Sequence, residues 1–168
     1  PMPNRELAVG FDDRSGGIFV GNMCHSPNVQ AVKYIVFSIL DKYRDTLPPG
    51  FIVHLVLSRT KYCEYDLVQS LMLRSDVQVH RDITDEALQD LHNKVRVMVA
   101  PLFYGAGVKG KINYALLRGV PVVGTQISVE GMHLVNGEST LAAHTPVEFR
   151  DNIVAINNNA TLWQTLRR

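Results

Sequence analysis

Val95-Arg96-Val97-Met98-Val99-Ala100 leads through Pro101-Leu102-Phe103-Tyr104 into Gly105-Ala106-Gly107-Val108-Lys109-Gly110-Lys111, and Gly119-Val120-Pro121-Val122-Val123 follows after a helix-length gap. The outer runs are short, nearly all apolar and rich in β-branched residues, the mark of strands buried on both faces. Between them, Lys109 to Arg118 is expected to be a helix closed by Gly119. Strand, glycine loop, helix and strand in that order make a βαβ unit with a parallel pair. The loop at the carboxyl end of the first strand lets the backbone approach an anion, and the following helix points its positive dipole there.

The same alternation extends to both sides. Strands are expected at Gly17–Gly21, Phe51–Leu57, Val77–Val79, Val95–Ala100 and Val120–Val123, with a sixth over Ser139–Ala143. Ser26-Pro27 reads as an N-cap and first helical proline, with Val29, Val32, Val36, Ile39 and Leu40 at helical spacing until Leu47-Pro48-Pro49-Gly50. Further helices are expected over Tyr62–Arg74, from Thr84-Asp85-Glu86 to Asn93, from the capping box Thr145-Pro146-Val147-Glu148 to Ile156, and over Thr161–Arg168. The expected fold is α/β: one Rossmann-like, doubly wound parallel sheet of about six strands with helices on both faces. Residues 1–168 form a single domain in this reading, with 1–14 as a linker or tail. Ligands of such sheets bind beyond the carboxyl ends of the strands where the strand order reverses. There, Gly21-Asn22-Met23-Cys24-His25 should meet Phe103–Lys111.

Bulk properties exclude several classes. The 168 residues suit one domain. A net charge of +1 without a Lys/Arg cluster gives no field for nucleic acid. The longest apolar runs are too short to cross a bilayer, and no signal-peptide pattern opens the chain. Cys24 and Cys63, outside any Cys-x-x-Cys spacing, are expected as free thiols in a reducing compartment, with a disulfide or metal role as the alternative. The start Pro1-Met2-Pro3-Asn4 suggests a piece of a longer polypeptide. The histidines show no metal-ligand spacing; His54, inside an apolar run, is expected to be a satisfied core residue, and Trp163 a packing anchor for the last helix.

The glycine loop fits three patterns. Gly105-x-Gly107-x-x-Gly110, with Glu130 about twenty residues on, matches the dinucleotide fingerprint, but that motif belongs after the first strand of its unit. Gly105-x-x-x-x-Gly110-Lys111 approaches a P-loop, but Ile112 stands where Ser or Thr should meet magnesium. The third pattern is a resemblance. Pro101 through Asn113, then Gly119-Val120-Pro121-Val122-Val123, then Glu130-Gly131-Met132, resembles the donor-binding C-terminal half of group 1 glycosyltransferases, the retaining GT-B enzymes of family four. Phe19-Val20-Gly21-Asn22 and His25-Ser26-Pro27-Asn28 resemble that half's opening strand and loop.

The resemblance implies a nucleoside-diphospho-sugar donor and retaining transfer to a glycan, lipid or protein acceptor. It also implies an N-terminal GT-B domain, or another module of the same polypeptide, supplying the acceptor wall. Neither cofactor nor metal is expected. Lys109 and Lys111 become the catalytic cations that neutralise the leaving diphosphate. Gly21, Asn22, Gly105, Gly107, Val108, Gly110, Tyr114, Glu130 and Gly131 become donor contacts. His80, Arg81, Asp82 and Ile83, after the third strand, become the loop against the base. The chain departs from the family where Ala106 and Tyr114 occupy the places of two glutamates, and where Phe103 stands for a common arginine. Those departures favour one alternative, a non-catalytic Rossmann assembly module with a decayed donor site; a dinucleotide-binding oxidoreductase domain, resting on the glycine fingerprint, is a further and weaker alternative. A cytoplasmic location is expected, with the full-length protein at the cytosolic face of a membrane as a variant of it.

Overall fold

The computed structural model describes residues 9–105 and 109–167. Six strands, β1 (Gly17–Asn22), β2 (Val53–Ser58), β3 (Val77–Arg81), β4 (Val97–Ala100), β5 (Val122–Gly124) and β6 (Leu141–Ala142), form one sheet in the order β3-β2-β1-β4-β5-β6. Every pairing is parallel. The order runs outward in both directions from β1, so the switch point lies between β1 and β4.

Successive residues of a strand face opposite sides, and here both sides are covered. Phe19, Leu55, Leu57, Val97, Val99 and Val123 face helices α1 (Ser26–Lys33), α3 (Tyr65–Leu71), α7 (Pro146–Asn158) and α8 (Ala160–Leu166). Ile18, Val56, Met98, Ala100 and Val122 face α4 (Asp85–Lys94) and α5 (Gly110–Leu117). That double coverage is why these strands read as unbroken apolar runs.

Several local expectations are corrected. His25, not Ser26, is the N-cap of α1, so Ser26 opens the helix and the proline follows within its first turn, where its missing N–H costs nothing. The helix continues as a π-helical stretch over Tyr34–Leu40 and a last turn α2 (Asp41–Tyr43); the Asp41 N–H donates to Val36 O, five residues back. Strand β3 runs through His80 and Arg81, so these two are strand residues and not part of a loop. A helical turn α6 (Gln126–Val129), absent from the sequence reading, follows β5. Thr84 caps α4, and the Thr145–Glu148 capping box on α7 is present in both directions.

The free-thiol expectation is also corrected. Cys24 and Cys63 form a disulfide, their Cα atoms 5.2 Å apart. The loops carrying them leave the parallel strands β1 and β2 at the same carboxyl end of the sheet, which brings residues distant in sequence together. Disulfides are uncommon in reducing compartments, so the cysteines no longer argue for a cytoplasmic location. No helix among the described residues is long and apolar enough to cross a membrane.

Of the segment read as a tail, the part from Val9 onward is docked. Arg14 is buried at 2% exposure and donates to His92 O at 2.8 Å, with further bonds to Val95 O and Arg118 O. Its guanidinium thereby serves carbonyls at the carboxyl ends of α4 and α5. Burial, then the charge of Arg167, lowers its pKa to about 10. Phe11 meets the buried Trp163 edge-on, and the indole Nε1–H donates to Arg96 O at 2.9 Å, so Trp163 is the packing anchor the sequence suggested.

Candidate functional site

At the switch point the β1–α1 turn faces the start of α5. Gly21 is buried one residue before the end of β1 because α1 crosses it closely: a Cβ there would stand 2.9 Å from Asn28 Cβ. Asn22 accepts the Cys24 N–H on Oδ1 at 2.9 Å, and its carbonyl accepts Asn28 Nδ2 at 3.0 Å. Opposite, Gly105 adopts φ +105°, a conformation that favours glycine, close to Pro27. Its carbonyl accepts Lys109 Nζ at 2.9 Å. Lys109 is the N-cap of α5 and Gly110 its first residue, exposed, where a Cβ would meet no atom of the described residues within 4 Å. Gly107 and Val108 lie outside the described residues.

Lys111 reaches across this cleft. Its Nζ donates to Asn28 Oδ1 and sits 4.8 Å from the centre of the Phe19 ring. Burial, and secondarily the charge of Lys109, lowers its pKa to about 8. Both neighbours attract an ammonium without neutralising it, and among the described residues no carboxylate forms an ion pair with Lys111. A half-buried cation beside the N-terminus of an eight-residue helix suits an anionic ligand.

The remaining candidates are placed differently. Tyr114 packs edge-on against His92 of α4, ring centres 4.9 Å apart, with the Arg118 guanidinium 5.2 Å from its ring. Phe103 tilts onto Tyr34 at 4.8 Å. His80 lies within hydrogen-bond distance of His54, Nε2 to Nδ1 3.0 Å, so His54 does have a partner. Arg81 is exposed, and Asp82 adopts φ 47° and accepts the Arg59 N–H at 3.2 Å. Ile83 packs against the second core. These four sit on β3 and the turn after it, two strands from β1.

Glu130 is the C-cap of α6 and Gly131 follows it, both exposed, Gly131 at φ 73°. Sequence reasoning missed what holds that turn in place. Thr125 Oγ1 donates to Leu102 O, Ser128 Oγ donates to Ala100 O, and the two hydroxyls lie 3.0 Å apart. The β5–α6 turn is thereby clipped to the carboxyl end of β4. Thr125 was the available signal, since a threonine hydroxyl at an N-cap accepts a first-turn N–H, here that of Ser128. A concavity of about 560 Å³ lies on the outer side of α1, between Cys63 and Tyr104, and does not include Lys111. Among the described residues no group of three His, Cys, Asp or Glu side chains is arranged to hold a metal.

A family profile described as glycosyl transferases group 1 matches residues 15–159. The chain belongs to that family. Solved structures agree on the fold of this group 1 chain. A mutant TarM of S. aureus, in complex with fondaparinux, alpha-GlcNAc-glycerol and UDP, superposes with a TM-score of 0.68 at 12% identity over 95% of this chain and 31% of that one. The C-terminal domain of LpcC, a glycosyl transferase group 1 family protein from Francisella tularensis, gives 0.65 at 13% identity over 100% of this chain and 89% of that one. Anabaena HepE in complex with UDP-glucose gives 0.65 at 20% identity over 96% and 43%. The chain therefore spans under half the length of TarM and HepE but nearly all of an isolated C-terminal domain. No curated protein sequence matches it significantly.

Proposed function

We propose that this chain is the donor-binding domain of a retaining GT-B glycosyltransferase, and that the switch-point cleft binds a nucleoside-diphospho-sugar. The observation that carries the reading is Lys111: a half-buried ammonium, held by a neutral amide beside the first turn of α5. Lys111 and Lys109 take the diphosphate, and the α5 N-terminus adds its dipole. As the bond between the sugar and the diphosphate breaks, negative charge grows on the leaving oxygen. Fixed cations stabilise it there, a role that a metal fills in other sites. Gly21 and Asn22 line the opposite wall. Gly105, Gly107, Val108 and Gly110 let the backbone approach the phosphates, and Glu130 and Gly131 bound the sugar side. Tyr114 enters this reading as a ribose contact only if its ring leaves His92.

The UDP and UDP-glucose named with TarM and HepE support a nucleotide-sugar donor. The acceptor, a glycan, lipid or protein, meets the donor against an N-terminal domain or another module of the same polypeptide. Calorimetric titration with UDP, GDP, dTDP and NAD tests the reading. One nucleoside diphosphate should bind, and Lys111→Ala should weaken it at least tenfold, the scale of one charged hydrogen bond. Preference for NAD, or silence across the panel, would contradict it.

A further inference from the structure

Lys111 and the β1–α1 turn reach the cleft from opposite faces of the sheet, and a run of hydrogen bonds joins them. Lys111 Nζ donates to Asn28 Oδ1, and the Nδ2 of the same amide donates to Asn22 O at 3.0 Å. Asn22 Oδ1 accepts the N–H of Cys24 at 2.9 Å, and Cys24 is bonded to Cys63 on the neighbouring loop. The sense of the Asn28 amide is determined by its neighbours. A flipped amide would set its N–H against an ammonium and its oxygen against a carbonyl, two repulsive contacts. Gly21 permits the arrangement, since any Cβ there would collide with Asn28.

We propose that Asn28 is the positioning residue for Lys111, and that the Cys24–Cys63 bridge anchors the turn to which Asn28 is tied. The inference rests on reading Lys111 as the diphosphate cation. Asparagine suits the task because it orients the ammonium and leaves the charge intact for a ligand. Aspartate would still accept from the ammonium, but it would lose the N–H given to Asn22 O and would pair its own charge with the cation. The charged group acting on Lys111 from its own side is Lys109; Asn28 and Phe19, which face it from α1 and β1, are neutral.

The test follows the Lys111 side-chain ¹³Cε resonance through a pH titration, with inorganic pyrophosphate as the ligand probe. Asn28→Asp should raise the Lys111 midpoint and weaken pyrophosphate at least tenfold at neutral pH. An unmoved midpoint in Asn28→Asp overturns the positioning role, whatever the affinity. A moved midpoint in a protein whose wild type ignores pyrophosphate sinks the donor reading and leaves the positioning role standing.

A second arm uses the unaltered chain, so it reads out even where a variant at position 28 does not fold. Dithiothreitol reduces the bridge to two thiols and is itself oxidised to its cyclic disulfide. Reduction should weaken pyrophosphate several-fold and shift the Lys111 midpoint, as should Cys24→Ser combined with Cys63→Ser. Identical titrations before and after reduction overturn the anchoring role.

Discussion

The ammonium of Lys111 has an amide oxygen and an aromatic face for company, and this sets two pH dependences of opposite sign. Its folded pKa is lowered to about 8 against an ordinary lysine value of 10.5. Between those values the unfolded chain holds more protons than the folded one, so this group's contribution to stability rises as pH climbs through 8. A bound diphosphate favours the charged form, so affinity should be full below pH 8 and fall above it. Calorimetry in buffers of different ionisation enthalpy should show proton uptake on binding near pH 8, while urea melts move the other way. Gly21 gives the second residue-scale prediction. Gly21→Ala forces α1 and Asn28 away from β1, and should destabilise the fold by about 1–3 kcal/mol in urea. The same variant should weaken nucleotide binding, because the acceptor of Lys111 moves with the helix.

Among the elements, strands β1, β2, β4 and β5 were legible because double coverage makes them continuous apolar runs. The capping box at Thr145 and Glu148 was legible because it is a local contract between two side chains. What escaped depends on distant partners. The Cys24–Cys63 bridge spans 39 residues and needs β1 beside β2 before the pairing can be seen. The extension of β3 to His80 and Arg81 depends on its register with Val56 and Leu57. Of the site, the loop and its lysines were readable, whereas Asn28 was not, since its role exists only once α1 lies across Gly21. The clip between β4 and α6 offers an element-scale test. Thr125→Val removes the donor to Leu102 O and the cap of α6 together, and should cost about 1–3 kcal/mol of stability. A urea melt reads the loss; an unchanged midpoint would mean the turn is held by packing alone.

At the scale of the whole molecule, the order β3-β2-β1-β4-β5-β6 determines where chemistry can occur. Only between β1 and β4 do crossovers leave in opposite directions and open a crevice, and there Gly21, Asn22, Gly105, Lys109 and Lys111 converge. The family match and the LpcC domain give this chain the fold of a GT-B Rossmann-like domain, and the proposed function makes it the donor-binding wall. One wall of a two-walled cleft should bind donor without completing transfer. The purified 168-residue chain is accordingly expected to turn over slowly or not at all, and a complementing N-terminal domain should restore transfer. Efficient transfer by the chain alone would overturn the two-wall account.

The most direct measurement of the central claim is a map of amide chemical-shift changes in the ¹⁵N-labelled chain as UDP or GDP is added. The account predicts saturable shifts concentrated at Gly21, Asn22, Gly105, Gly110 and Lys111, reached only at tenfold or more higher nucleotide concentration in Lys111→Ala. Shifts centred instead on the concavity between Cys63 and Tyr104, or an unchanged titration in Lys111→Ala, would contradict it.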